Sequence, residues 1–386
     1  MTDQPLAETE NAILELDNVT KVFESAGFLG RKPSHAVRAV DGVSLRIDRG
    51  ETLGLVGETG SGKSTIGRLV LRLEDPTSGH IAFEGTDITG LGTRQVRKLR
   101  QRMQMVFQDP YGSLDPRMTV RDLIAEPMIV HGAPAAEIPA RLEQIMLQVG
   151  LNPRMADRYA HEFSGGQRQR IGVARALVLD PSLLVLDEPV SALDVSIQAQ
   201  ILNMLRDIQR TRNIAYLFIA HDLAVVRHIS HRVAVLYLGR IVETGPRDEI
   251  YERPRHPYTV SLLSSVPVPD PDMERRRNRI VLHGEISSGT AVPAGCRFHP
   301  RCFRARMIAA QGKGPTIERA GAVLPVRCVE DDPPLSGEGT HQAACHFPLA
   351  PQETVDILAT GKRGAAHARN ADPPGYAPPR IAGSDI

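Results

Sequence analysis

What this sequence lacks narrows it first. Its 386 residues contain no run near the roughly 18 apolar residues that a membrane-spanning helix needs. Its N-terminus is acidic (Asp3, Glu8, Glu10) rather than basic, so it does not read as a secretory signal. It has almost no net charge: 46 basic against 45 acidic side chains leave +1, too little overall field to argue for nucleic acid. It has no internal repeat, and no cysteine in its first 295 residues. Together these absences predict a soluble chain kept in the cytoplasm, one that works at a membrane only through a partner. The 41% hydrophobic and 24% charged fractions are those of a globular protein, and the length allows about two domains.

What is present is organised around Gly57-Glu58-Thr59-Gly60-Ser61-Gly62-Lys63-Ser64-Thr65. An apolar run over 52–56 predicts a buried strand before it, and residues 66–71 carry apolar side chains at helical spacing after it. Glycines in such a strand-to-helix turn let successive backbone N–H groups point inward, and the helix start adds partial positive charge. Lys63 has the reach for β- and γ-phosphates, and the Ser64 hydroxyl can bind Mg²⁺. The expected ligand is a nucleoside triphosphate. The plainer alternative, a glycine-rich turn that merely precedes a helix, is disfavoured by the full spacing in this setting.

Along the rest of the chain, residues 13–17 and 43–47 alternate apolar and polar and predict strands, with a glycine- and proline-marked loop over 23–34. A strand and turn over 80–85 and a buried strand over 103–108 follow. Residues 119–150 have helical periodicity broken at 131–134, which predicts a helical subdomain inserted into the nucleotide-binding fold. A helix opens at Ser164-Gly165-Gly166-Gln167, and residues 182–188 form an apolar strand ending in Asp187 and Glu188. A helix over about 196–210 leads to a buried strand over 215–220 that ends at His221. Alternating strands and helices with polar residues at strand ends predict an open α/β sheet whose site lies at its carboxyl edge.

The chemistry divides among those strand ends. An acidic residue closing a buried strand beside a phosphate loop holds Mg²⁺, which assigns Asp187. Glu188, one residue on, faces the attacking water as general base. His221 contacts the γ-phosphate and positions that water, and Gln108 offers its amide to Mg²⁺ or to the water. Any one of these alone reads as an ordinary polar strand terminus; four strand ends aimed at one place do not.

The phosphate loop, Gln108, Ser164-Gly165-Gly166-Gln167, Leu186-Asp187-Glu188-Pro189, Ser191-Ala192-Leu193-Asp194 and His221 follow one another as the motifs of ABC transporter ATP-binding subunits do, and the chain resembles that family. The resemblance implies a P-loop NTPase cassette: a RecA-like core sheet, an N-terminal antiparallel β part and an inserted helical subdomain, with a small Cys-containing C-terminal extension. The implied boundaries are 1–265 for the cassette, 266–350 for the extension and 351–386 for a disordered tail. It also implies two subunits sandwiching two ATP molecules head to tail. Ser164, Gly165, Gly166, Gln167 and Asp194 join the nucleotide-binding set, Ser164 and Gly166 serving the nucleotide on the other subunit's loop. Phe23 stands where the family places an aromatic against adenine.

Residues 107–117, 193–202 and 255–259, with Gly284-Glu285 and the stretch from Gly295 to Cys302, resemble the ATPases of oligopeptide, dipeptide and nickel importers. Residues 286–293 depart from the usual proline-rich run, which leaves the substrate branch open. Pro257 reads as the start of an amphipathic helix containing Tyr258, Val260, Leu262 and Leu263, a structural role. The implied function is ATP hydrolysis that powers peptide import at the cytoplasmic face of the cell membrane, with nickel or another small solute as the alternative. The implied partners are a second, related ATPase, two transmembrane permeases and an extracytoplasmic solute-binding protein. A non-transport ABC ATPase acting on ribosomes or DNA is disfavoured by the single phosphate loop and by the lack of sustained heptads between Lys63 and Ser164. Export is disfavoured by the missing spanning helices.

Cys296, Cys302, Cys328 and Cys345 lie in one segment, with His299, His341 and His346 nearby. In a reducing compartment, clustered thiols suggest metal before disulfides. Zinc favours closely spaced cysteine pairs, and none exists here. A 4Fe–4S cluster accepts four thiolates from irregular loops, and some importers of this family look built for one. The cluster is the first expectation; zinc, free thiols and a disulfide remain open.

Overall fold

Two long strands open the chain, β1 (Ala12–Glu24) and β2 (Ala36–Asp48), pairing antiparallel from Ala12↔Asp48 to Glu24↔Ala36. The computed structural model describes residues 11–24, 36–108, 110–267, 275, 279–282 and 292–359. Most of the expected linker, Gly284-Glu285, Asp109 and everything beyond residue 359 lie outside these residues.

β3 (Thr52–Val56) runs into the phosphate loop, and α1 (Lys63–Val70) leaves it. β4 (Ser78–Phe83) and the short β5 (Thr86–Asp87) complete an antiparallel sheet ordered β2-β1-β4-β5. After α2 (Thr93–Leu99) and β6 (Met103–Val106) come the helices of the insertion. These are α3 (Pro110–Ser113), α4 (Val120–Val130) and α5 (Ile138–Gln148). α6 (Gly165–Leu177) returns the chain to β7 (Leu183–Asp187), followed by α7 (Val195–Arg212) and β8 (Ala215–Ala220). Then come α8 (Leu223–Ile229), β9 (Arg232–Tyr237), β10 (Arg240–Pro246), α9 (Arg247–Glu252) and α10 (Pro257–Ser265).

In the C-terminal extension β11 (Thr316–Arg319) and β12 (Ala322–Pro325) form a separate antiparallel pair, while β13 (Ser336–Glu338) and β14 (His341–Ala343) join the central sheet, which is ordered β13-β14-β10-β9-β3-β8-β7-β6. β9, β3, β8, β7 and β6 are parallel neighbours, so their carboxyl ends share one edge. Every residue of β3, β7 and β8 is buried, which explains their continuous apolar sequences: a parallel sheet is covered on both faces. Alternation divides those side chains. Leu184, Leu186, Tyr216 and Phe218 join the core under the inserted helices. Leu183, Val185, Leu217 and Ile219 join the core with Ile66 and Leu69 of α1 and the antiparallel sheet. A Cβ on Gly67 would lie 3.0 Å from Ile219 and 3.1 Å from Val185, so α1 lies close against that face.

The structure differs from the expectations in three places. α10 is not amphipathic: Tyr258, Val260 and Leu263 are buried, but so are Thr259, Ser261 and Ser264, the two serines satisfied by backbone carbonyls of their own helix. Residues 351–359 form a helix rather than the start of a tail, because Thr354 hydrogen-bonds the Pro254 carbonyl at 3.1 Å and Glu353 pairs with Arg304 at 2.8 Å. The extension also shares the cassette's structure: β14 pairs with β10, and Cys296, Phe298, Cys302 and Cys328 belong to the same core as the inserted helices. Among the described residues, no helix is long and apolar enough to cross a membrane.

Candidate active site

The loop after β3 is shaped by glycines that nothing larger could replace without a shift. Gly62 has φ +106°, and a Cβ there would fall 2.2 Å from the Ala39 carbonyl oxygen; at Gly57 a Cβ would meet the Leu236 carbonyl oxygen at the same distance. Lys63 is buried and folds back, its Nζ donating to the carbonyls of Gly57 (2.8 Å) and Glu58 (3.0 Å). Burial lowers its pKa from the ordinary lysine value, against the pull of Glu188, Asp187 and Glu58. Ser61 Oγ is buried with no hydrogen-bond partner. An anion entering this cradle would give the Ser61 hydroxyl a partner and the buried Lys63 ammonium a counter-charge, so the residues fit a triphosphate.

A cleft of about 540 Å³ opens at the loop, lined by Thr59, Gly60, Gly62, Lys63, Ser64 and Thr65 together with Gln108, Glu188, Ser191, Ala192 and His221. Ser64 Oγ donates to Asp187 Oδ1 at 3.0 Å across the mouth of α1. Burial raises the Asp187 pKa, an effect that a bound cation would offset, so this hydroxyl–carboxylate pair fits Mg²⁺. Glu188 is the meeting point of two other strand ends. Its Oε2 accepts from Gln108 Nε2 at 2.9 Å and lies 3.2 Å from His221 Nδ1. Its backbone stands at φ 45°, held by a 2.9 Å bond from its N–H to the Ile219 carbonyl. A left-handed non-glycine residue is costly and is tolerated where the surroundings fix it. A carboxylate so placed can orient and deprotonate water. Gln108, expected on the Mg²⁺ pair or the water, bonds Glu188 rather than Asp187.

Other expected residues are elsewhere. Ser164 caps α6, its side chain accepting from the Gln167 N–H while Gln167 accepts from the Ser164 N–H, a reciprocal capping box. Ser164 and Asp194 are exposed, and neither they nor Gly165, Gly166 and Gln167 line the cleft. Phe23 is 38% exposed and does not line the cleft either, but it pairs across the sheet with Val37, which does. Val37, Arg38, Ala39, Leu238 and Gly239 escaped the sequence reading, since they reach the cleft from β2 and the β9–β10 turn. Tyr258 and Arg301 escaped it too. The Tyr258 hydroxyl accepts from the Glu58 N–H at 2.9 Å, and Arg301 forms a two-pronged ion pair with the Glu58 carboxylate. A second groove of similar volume, between Leu147, Arg170, Met204 and Asp207, lacks any such convergence around a phosphate-binding loop.

The four cysteines do gather, as free thiols, with Cys296, Cys302 and Cys328 buried. Burial raises the pKa of each, and neighbouring sulfurs add to the rise: Cys302 feels Cys296, Cys345 and Cys328, while Cys328 and Cys345 are pushed up to about 12. Four converging thiols are the right chemistry for a metal centre. Yet no group of three or more His, Cys, Asp or Glu among the described residues is arranged to hold a metal ion. Cys302 Sγ accepts from the Ala305 N–H and Cys345 Sγ from the Phe347 N–H. His299 is engaged with the Cys296 carbonyl, His346 with that of Asp331, and His341 with Glu243 and Glu249.

A phosphate loop after β3, an acidic pair closing β7 on the far side of β8 in the same sheet, and a capped signature helix define an ATPase of the ABC class. Residues 40–191 match the ABC transporter family, and residues 242–308 match the oligopeptide/dipeptide transporter C-terminal region. The oligopeptide transport ATP-binding protein AppF of Bacillus subtilis is 52% identical over 304 residues, 78% of this chain and 92% of that protein. The oligopeptide transport ATP-binding protein OppF of Escherichia coli is 48% identical over 316 residues, 81% of this chain and 89% of that one. Among solved structures, cbiO1 from Clostridium perfringens, part of the ABC transporter complex cbiONQ, aligns with a TM-score of 0.56 at 27% identity, covering 63% of this chain and 92% of that one. The ATP-binding cassette MJ0796, in a dimeric post-hydrolysis state with ADP and Pi, aligns at 0.54 and 27% identity, covering 61% and 98%. The chain belongs to the ATP-binding subunits of the oligopeptide/dipeptide ABC transporter family.

Proposed function

We propose that this subunit hydrolyses ATP at the cleft beside residues 57–65 to power the import of di- and oligopeptides, working peripherally at the cytoplasmic face of the cell membrane. One observation carries the reading: the cassette site is continuous with a C-terminal region of the oligopeptide/dipeptide type, matched over residues 242–308. The loop from Gly57 to Thr65 wraps the phosphates, with Lys63 turning from the loop carbonyls to the β- and γ-phosphates. Ser64 and Asp187 would hold Mg²⁺, which would supply neutralising charge to the triphosphate. Glu188 accepts the proton of the attacking water, Gln108 and His221 fix the Glu188 carboxylate, and His221 steadies the water. Phe23 packs on the adenine.

The signature residues, exposed Ser164 and half-buried Gly165, Gly166 and Gln167, together with exposed Asp194, serve the nucleotide of a facing subunit, which makes the working unit a dimer. That partner is a related ATPase, and the pair docks on two permease subunits fed by an extracytoplasmic solute-binding protein. Nucleic acid has no part. The four thiols, not arranged as metal ligands among the described residues, would have to draw together to hold a 4Fe–4S cluster, and they are its proposed ligands. Iron and sulfide analysis after anaerobic purification, expected to give about four of each per chain, tests that statement. Zinc alone or no metal would overturn it and leave the ATPase reading intact.

The transport reading is tested in cells. A strain lacking the gene should lose uptake of a radiolabelled tetrapeptide, and the wild-type chain, but not Lys63→Ala, should restore it. Uptake unaffected by the deletion, or restored by Lys63→Ala, would contradict it.

A further inference from the structure

The phosphate loop has an acidic residue, Glu58, in its second position, and a carboxylate beside a triphosphate repels it. Glu58 does not stand alone. Arg301 Nη1 lies 2.7 Å from Glu58 Oε2 and Arg301 Nη2 lies 3.1 Å from Oε1, a two-pronged pair. The Arg301 side chain is only 8% exposed, so the pair is poorly screened by water. It is also held in place. Arg301 closes the short turn His299–Arg301, its N–H bonds the Phe298 carbonyl at 3.0 Å, and Cys302 follows it into the core. Its Nε is buried without a partner, so the guanidinium leaves one donor unsatisfied while its other two nitrogens meet Glu58.

The loop backbone is gripped from the same side. The Glu58 N–H donates to the Tyr258 hydroxyl at 2.9 Å. Tyr258 packs in a buried group with Tyr237 and Phe298, its ring tilted against theirs at centroid distances of 4.7 and 5.3 Å. Tyr258, Phe298 and Arg301 all lie within the matched C-terminal region, residues 242–308. Mere docking of that region has a separate fastening: Arg297 pairs with Asp41, outside the phosphate loop.

We propose that Arg301 and Tyr258 are positioning residues for nucleotide binding, Arg301 neutralising Glu58 and Tyr258 fixing the first turn of the loop, so that the C-terminal region sets the ATP affinity of the cassette. The proposal rests on the assignment of residues 57–65 as the ATP site.

The test is a titration of the full-length chain with a fluorescent ATP analogue and Mg²⁺, alongside melting temperature. Lys63→Ala should abolish binding. Arg301→Ala should raise the Kd about tenfold, the scale expected of one uncompensated charge near the phosphates. Arg301→Lys, which keeps the charge, should stay within about threefold of wild type. Tyr258→Phe should raise the Kd by about threefold through the unsatisfied loop N–H. Glu58→Gln combined with Arg301→Ala should return the Kd to within about twofold of Glu58→Gln alone, because the repelling charge is gone. Arg301→Gln, similar in bulk but uncharged, gives the same comparison should the alanine variant not fold. A lowered melting temperature with unchanged Kd in Arg301→Ala would reduce the pair to docking and overturn the proposal. So would a double variant as weak as Arg301→Ala. Normal binding by Lys63→Ala would instead overturn the ATP-site assignment beneath it.

Discussion

Replacing Glu188 by Gln isolates one function of the site. The side chain keeps its size, and its amide oxygen can still accept from Gln108, whose Nε2 is 2.9 Å from Glu188 Oε2 in the native chain. What is lost is basicity. Among the described residues, Gln108 and His221 both approach Oε2, so Oε1 is the oxygen open to a water. Removing a positioned general base costs about 10²–10⁴ in rate, or roughly 3–5 kcal/mol in the barrier. ATP affinity should be equal or tighter, since one of the three carboxylates acting on Lys63 has been neutralised. The assay pairs phosphate release by the assembled transporter with a nucleotide titration. A kcat within about fivefold of wild type would refute the base assignment, because it falls below the range for general-base catalysis. A low kcat accompanied by lost ATP binding would refute it too, by showing that the carboxylate serves the ground state.

Two further outcomes follow from the packing. Burial lowers the His256 pKa to about 4, against the pull of Glu243 and a backbone bond to Ala344, while the unfolded chain titrates near 6.5. Folded and unfolded states are both neutral above 6.5; below it only the unfolded chain takes the proton until about pH 4. Stability is therefore complete above 6.5 and falls with pH, by about 2 kcal/mol between pH 7 and 5. His256→Asn, which can still cap α10 in place of the ring nitrogen that accepts from the Tyr258 N–H, should remove that part of the slope in denaturant titrations; an unchanged slope would contradict the account. Gly62→Ala should lower stability by at least about 2 kcal/mol and abolish nucleotide binding, since the new methyl meets the Ala39 carbonyl at a positive φ; native melting and native ATP affinity would contradict it.

The sheet and its shared carboxyl edge were readable because burial writes itself plainly into parallel strands. The runs at 52–56, 182–188 and 215–220 are apolar at nearly every position, and the strands observed there are buried throughout. Ser164 and Gln167 likewise announced a helix start, and they form its capping box. The contacts of Gln108 and His221 with Glu188 follow from strand order, which places β6, β7 and β8 side by side.

What stayed hidden depends on long-range placement. Tyr258 sits 200 residues from Glu58 in the chain, and Arg301 sits 243 residues away. No local pattern marks a tyrosine whose hydroxyl will reach a loop that distant, and its apolar neighbours favoured a purely structural role. Residues 351–359 look like tail because their stabilising partners, Arg304 and the Pro254 carbonyl, lie outside the segment. The cysteines show the opposite limit: their clustering was legible, whereas the local backbone bonds of their sulfurs were not.

The most direct test of the central claim is coupled flux. The subunit and its proposed partners, a second ATPase and two permeases, would be reconstituted in proteoliposomes, with the proposed solute-binding protein and a labelled oligopeptide on the side opposite the ATPases. The account predicts peptide accumulation that requires Mg²⁺-ATP on the ATPase side, ATP hydrolysis that rises with bound peptide, and loss of both with Glu188→Gln. Hydrolysis that proceeds unchanged with no peptide movement, or peptide movement that survives Glu188→Gln, would contradict it.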